Sequence, residues 1–260
     1  MRLKKYAMSV LGAAALLAGG QASATSVGLE LMLLVDVSGS VNSTEYNLQK
    51  QGYVQAFQSA AVQSAIAASQ LGSIAVTYIE WSGRSQQSIQ VGWQLINDAA
   101  SANSFATAIN STSRAFSGNT AIQDAIGKMY TGFGTEVGGT ANGFESLRQV
   151  IDVSGDGADN DSASFAAAGG GRNAAIAAGV DAINGLPILG ENGLLTYYTT
   201  YVMGGNGFVT PAANFADFGR AIEEKLVKEI SNVPEPSSLA LVGLALLGAG
   251  AVRRRAVKKT

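Results

Sequence analysis

The 260-residue chain contains neither cysteine nor histidine. Lack of cysteine excludes disulfide staples, thiolate metal ligands and thiol nucleophiles. Lack of histidine excludes Ser-His-Asp and Cys-His catalytic systems, histidine zinc sites and histidine pH switches within the chain. Stability must therefore come from an apolar core, and any metal must be held by oxygen. Charged residues make up only 14% of the chain, and two of its four prolines, Pro234 and Pro236, stand close together near the C-terminus. The apolar run that follows them, 237–252, is shorter than the ~20 residues of an ordinary membrane span. What is present is 47% hydrophobic residues and 32 glycines, which fit one α/β domain with a sizeable core.

Both ends carry processing signals. Arg2, Lys4 and Lys5 precede an Ala/Leu-rich stretch that ends in Ala22-Ser23-Ala24, the pattern of a signal peptide (1–24) cleaved after Ala24. At the other end a linker, 232–236, contains Pro234-Glu235-Pro236. The short apolar segment 237–252 follows, then a basic tail, 253–260, that the positive-inside rule keeps cytoplasmic. Pro-Glu-Pro, a Gly/Leu-rich helix and an Arg-rich end resemble the PEP-CTERM sorting signal. That resemblance implies an exosortase-type processing enzyme as partner and a transient anchor of the C-terminal helix in the inner membrane after Sec export, before display at the cell surface or release outside; a plain tail anchor is the alternative. Without the two ends the chain has 9 Lys+Arg against 19 Asp+Glu, a formal net charge of −10. Nucleic acid is excluded as a partner, because its phosphates require clustered Lys and Arg.

Between the ends, 25–231 reads as a single domain in which strand-like runs alternate with helical patterns, as in a mostly parallel sheet covered on both faces. GLELMLLVDV is a continuous apolar run, as a central strand requires, and stops at Asp36-Val37-Ser38-Gly39-Ser40. Asn42 and Glu45 form a capping box for a helix expected to run through Ala68. Ser73–Trp81 and Gln87–Leu95 are joined by four residues, short enough for a hairpin, which places one antiparallel strand at an edge. Helices are expected at Ala99–Asn110 and Ala121–Tyr130, a buried strand at Arg148–Val153, a strand at Val180–Ile188, helices near Arg172–Ala178 and Leu194–Tyr198, and an amphipathic closing helix at Ala213–Ile230. Gly204-Gly205-Asn206-Gly207 reads as a turn.

Three separated loops place oxygen-bearing side chains after a buried strand or before a helix: Asp36, Ser38 and Ser40; Thr120; and Asp156. In an open α/β sheet, ligands bind outside the carboxyl ends of the strands, where these loops can converge. Oxygen-only ligation suits a hard cation, since Mg²⁺ takes near-octahedral oxygen ligands at ~2.0–2.1 Å and keeps several waters, which fits two hydroxyls, one or two carboxylates and open positions. Each residue also has an ordinary role open to it: Thr120 can cap a helix, and the serines can satisfy loop amides. The run Asp156 to Asp161 lacks the register and closing Glu of an EF-hand, which leaves Asp159 and Asp161 as a polar rim or as a solvated loop.

D-V-S-G-S after the first long strand, N-T-A-I opening a later helix and S-G-D-G after a buried strand resemble, in order and spacing, the metal-ion-dependent adhesion site of von Willebrand factor A domains. The resemblance spans 27–231. It implies a doubly wound six-stranded sheet of five parallel strands and one antiparallel edge strand, with Asp36, Ser38, Ser40, Thr120 and Asp156 as ligands of Mg²⁺ (or Mn²⁺ or Ca²⁺). The expected function is an exported cell-surface or matrix adhesion module whose cation captures an acidic protein or polysaccharide. Alternatives are a metal-stiffened structural matrix protein and a metal-dependent phosphoester hydrolase. Catalysis is not expected: a phosphotransfer site of this type wants a second Asp where Ser38 stands, and no histidine base exists.

Overall fold

A computed structural model describes residues 23–231. The expectations for 1–22 and for 232–260, including the sorting motif, lie outside the described residues. The main sheet contains β2 (Leu29–Asp36), β3 (Ile74–Trp81), β4 (Gln87–Ile96), β6 (Gln149–Gly155), β7 (Ala182–Pro187) and β8 (Gly204–Gly205), in the order β4-β3-β2-β6-β7-β8. A small parallel pair, β1 (Thr25–Val27) with β5 (Phe144–Ser146), lies beside it. Helices α1 (Ser43–Gln58), α2 (Ala60–Ala68), α3 (Ala99–Asn110), α4 (Ile122–Met129), α5 (Gly170–Ala177), α6 (Leu194–Tyr197) and α7 (Phe218–Ser231) complete the fold.

Strand alternation builds two cores. Leu29, Leu31, Leu33 and Val35 of β2 face α1, α2, α3 and α7, together with Tyr53, Phe57, Phe105 and Phe218. Met32 and Leu34 face α4, with Ile122, Ile126, Phe133, Ile151 and Val153. A strand with apolar residues on both faces can only be central, and β2 pairs in parallel with β3 on one side and β6 on the other. Helices therefore lie on both faces of the sheet.

The antiparallel edge strand expected from the hairpin is β4, which pairs with β3 from Ile74↔Ile96 to Trp81↔Gln87. The opposite edge differs from the five-plus-one pattern. Four long strands are parallel, and the fifth place is shared by the antiparallel Gly204–Gly205 and two parallel bridges, Gly185↔Val209 and Ile188↔Ala212. A glycine run has no side chains to pack and sustains only a short ladder. The long first helix is in fact two. Ser59 is extended and its hydroxyl accepts from Val62 N–H, so it ends α1 and caps α2. The closing helix begins at Phe218 rather than Ala213. Among the described residues no helix is long and apolar enough to cross a membrane.

Candidate metal centre

The β2 and β6 strands run side by side, with Val35 opposite Ser154, so the loops after Asp36 and Gly155 leave the sheet together. The third loop, before α4, is tied to the end of β3: Ala121 N–H donates to Ser82 O, Gly118 N–H to Ser82 Oγ, and Gly39 N–H to Gly118 O at 2.7 Å. Arg114 clamps the first loop by donating to Val37 O at 2.8 Å and Ser38 O at 2.7 Å. Gln49 Nε2 donates to Asp36 O. These bonds hold the three loops in register through the chain's own groups.

Within this frame Asp36 is fully buried. Its Oδ1 accepts Ser38 N–H at 2.7 Å, while Oδ2 is buried with no hydrogen-bond partner. Ser38 Oγ lies 3.1 Å from Ser40 Oγ, and Ser40 Oγ donates to Asp156 Oδ1 at 2.7 Å. Burial pushes the Asp36 carboxyl up to about 7, with the Asp156 charge adding to the rise. Asp156 is also raised, first by burial and then by the charges of Glu45 and Glu191. Gly155 is required here by close approach: a Cβ on it would stand 2.7 Å from Asp36 Oδ2 and 2.8 Å from Tyr198 OH, a second buried oxygen without a partner.

Thr120 is buried and its hydroxyl makes no hydrogen bond among the described residues. It does not cap α4. Asp159 Oδ2 accepts Gln123 N–H and Ser162 Oγ accepts Asp124 N–H, so the next loop supplies those caps. Its backbone is held in place by Asn160, whose Oδ1 accepts Thr120 N–H while its own N–H donates to Thr120 O. Asp161 turns away to pair with Arg84 at 2.5 Å and to accept Arg84 N–H. The oxygens of 159–161 are thus each taken by a different partner and do not converge on one point, as a calcium loop would need. Asp159 still lines the cleft, but Asp161 does not.

The loops enclose a cleft of about 600 Å³ whose lining includes Ser40, Thr120, Asp156, Glu45, Glu191 and Phe215, and no basic side chain. Asp36 and Ser38 lie beneath this floor, not on its surface. Glu191 belongs to no motif in the sequence; its signal is its place just after β7, since sites gather at the carboxyl ends of strands. Glu45 both caps α1, accepting Asn42 N–H, and lines the cleft. Among the described residues no cluster of three or more carboxylates is arranged to hold a metal. The donor set is two carboxylates plus three hydroxyls, and the unpartnered, fully buried Asp36 Oδ2 beside a second carboxylate fits a small divalent cation, which would supply the missing positive charge.

The family described as "Protein of unknown function (DUF1194)" matches residues 26–234, and the PEP-CTERM protein-sorting motif matches 232–255. No curated protein matches the sequence. Solved structures of similar fold include proximal thread matrix protein 1 from the mussel byssus, with zinc in its MIDAS motif. It is 15% identical, with a TM-score of 0.54 over 79% of this chain and 46% of that one. The pilus adhesin SpaC from Lactobacillus rhamnosus GG is 14% identical, with a TM-score of 0.57 over 79% and 30%. A von Willebrand factor type A protein from Catenulispora acidiphila is 13% identical, with a TM-score of 0.52 over 79% and 43%. The chain spans less than half the length of each. The similarity is one of fold, and it agrees with the family match: the chain belongs to the DUF1194 family, has the von Willebrand factor A fold and carries a PEP-CTERM protein-sorting motif.

Proposed function

We propose that the protein is an exported binding module of the cell surface or extracellular matrix, in which Asp36, Ser38, Ser40, Thr120 and Asp156 hold Mg²⁺, or Mn²⁺ or Ca²⁺ in its place, and an open coordination position takes a carboxylate from a partner. The observation that carries this reading is the fully buried Asp36 with one oxygen unpartnered, next to Asp156 and under a cleft that no Lys or Arg lines. The names of the similar structures, an adhesin and a matrix protein, support the physiology. The sorting motif supports processing by an exosortase-type enzyme with a transient inner-membrane anchor, and delivery to the surface or beyond.

Glu45 and Glu191 at the rim narrow the ligand. A polyanionic polysaccharide would meet their repulsion, so the rim favours an isolated carboxylate flanked by neutral or basic groups. The stiffening alternative is weakened by the hydrogen bonds from Arg114, Gly39 and Ala121, which order the loops without a cation. The hydrolase alternative is weakened because Asp36 is fully buried, where its carboxylate cannot reach a phosphorus in the cleft. The test is capture on immobilised peptides that carry a single Glu or Asp among neutral or basic residues. Retention with Mg²⁺ or Mn²⁺ that is released by chelation supports the reading. Retention unaffected by chelation, or none on any carboxylate surface, contradicts it.

A further inference from the structure

A second polar cluster lies inside the larger core, on the opposite face of β6 from Ile151 and Val153. Asp152 of β6 and Lys225 and Glu229 of α7 are all fully buried, and Asn184 of β7 is nearly so. Lys225 Nζ stands 2.7 Å from Asp152 Oδ1 and 2.5 Å from Glu229 Oε1. Asn184 Nδ2 donates to the same Glu229 oxygen at 2.8 Å, and Asn184 Oδ1 is itself fixed by Phe208 N–H. Two features set the cluster apart from an ordinary ion pair. Lys225 faces two carboxyls in a site without solvent, with Arg148 donating to the Glu229 backbone oxygen at 3.3 Å, and burial favours a shared proton on the carboxyls. And although Nζ is close to Asp152 Oδ1, both Asp152 oxygens lack a hydrogen-bond partner, so the amine meets the carboxyl off the hydrogen-bonding direction.

We propose that Lys225 and Asp152 condense into an intramolecular isopeptide bond between Nζ and Cγ, with Glu229 carrying the protons. Lys225 passes one proton to Glu229 and the free amine attacks Cγ of the protonated Asp152 carboxyl. As the tetrahedral centre collapses, Glu229 gives its proton to the hydroxyl that leaves as water when the C–O bond breaks, then takes the second amine proton as the amide forms and ends protonated. The net change is one ammonium, one carboxylic acid and the Glu229 carboxylate to one amide, one water and a protonated Glu229, with no redox partner. Burial raises both Asp152 and Glu229, Glu229 to about 7, which supports a protonated electrophile and a carboxyl able to exchange protons near neutrality. Fixed contact supplies the rest: effective molarities for well-placed groups reach about 10⁵–10⁸ M. Asn184, held at both ends, orients Glu229 as a positioning residue.

The bond would serve a chain that has no cysteine. It would join α7, the last described element before the sorting linker, to a central strand, so that force applied through the C-terminus could not peel α7 from the sheet. The experiment is intact-mass measurement of the denatured full-length product purified from an exporting host, with its termini established by peptide mapping. The expected mass is lower than that of the sequence by one water, about 18 Da. The expected tryptic product is peptide 221–228 joined to 149–172 with Lys225 uncleaved. Lys225→Arg should restore the full mass, and Glu229→Gln, which retains both reacting residues, should leave most of the product unlinked. A wild-type digest with free Lys225 and free Asp152 overturns the proposal. A loss of ammonia instead of water would move the bond to Asn184, and a water loss located elsewhere would also overturn it.

Discussion

Strand β6 holds one fully buried carboxylate in mid-strand and delivers a second, partly buried one just past its end, with opposite provisions for their charge. Asp152, in mid-strand, has Lys225 within 2.7 Å. Asp156, four residues on and roughly 13 Å along the chain at the rise of an extended strand, has as neighbours the carboxylates of Asp36, Glu45 and Glu191. Inside a closed core a carboxylate without a counter-charge costs several kcal/mol, so the chain places Lys225 there, whose ammonium offsets the charge as the chain folds and whose proposed bond to Asp152 would then remove both charges together. At the carboxyl end of the sheet, where the loops open to a cleft, the same deficit is left standing, and a cation from solution can meet it. The contrast separates a carboxylate that serves the fold from one that serves a ligand.

The comparison breaks most visibly at Lys225. Lys225→Met leaves two carboxyls in the core without their cation and also prevents the proposed bond to Asp152, so its expected cost is at least about 3–5 kcal/mol in urea unfolding. If the variant were as stable as the parent, the core cluster would not depend on its internal cation. Asp36→Asn should act the other way. It removes a buried unpaired charge, so the metal-free protein is expected to gain about 1–3 kcal/mol near pH 8 while cation binding is lost. Stability lost together with binding would show that Asp36 is a structural residue.

The pH dependence sharpens the contrast. The Asp36 carboxyl sits at about 7 in the fold against 3.8 for an ordinary Asp, so the folded state binds the extra proton. The stability that Asp36 contributes to the metal-free protein is then fully present below about pH 4 and is lost as pH rises through about 7, with Glu229 and Glu30, raised to about 7 and about 8, adding in the same direction. Saturating Mg²⁺ should flatten the part of this slope due to Asp36, and cation affinity should weaken below about pH 7 as protons compete. Melting temperatures across pH 5–9, with and without cation, read both effects; a metal-free protein more stable at pH 9 than at pH 5 would contradict them.

Smaller changes probe single contacts. Gly155→Ala forces a methyl against Asp36 Oδ2 and Tyr198 OH, with an expected cost of about 1–3 kcal/mol and weakened cation binding. Thr120→Val removes a hydroxyl that caps nothing, so stability should stay within about 0.5 kcal/mol while affinity drops several-fold. Unchanged affinity would remove Thr120 from the ligand set.

Much of this arrangement was legible before the structure. The apolar run 29–35 and the four-residue connection at 82–85 place β2 centrally and β4 at an edge, because each rests on local patterning and turn length. The break at Ser59 was hidden by apolar spacing that continues across it. The glycine-rich right edge of the sheet was equally hidden, since a two-residue strand has no periodicity to read. The three loops of the site follow from residue types and strand ends. Their supports do not: Arg114, Asn160 and the caps from Asp159 and Ser162 act across 36 to 77 residues of sequence. Nor could sequence pattern show that Asp161 is committed to Arg84, or that Lys225, on a helix read as amphipathic, points into the core.

The central claim is that the carboxylates of Asp36 and Asp156 await a cation. Calorimetric titration of Mg²⁺, Mn²⁺ and Ca²⁺ into the chain spanning 25–236, beside Asp156→Ala under the same conditions, tests it most directly. The account predicts one binding event per chain in the parent and none in the variant; equal binding in both, or none in the parent, would contradict it.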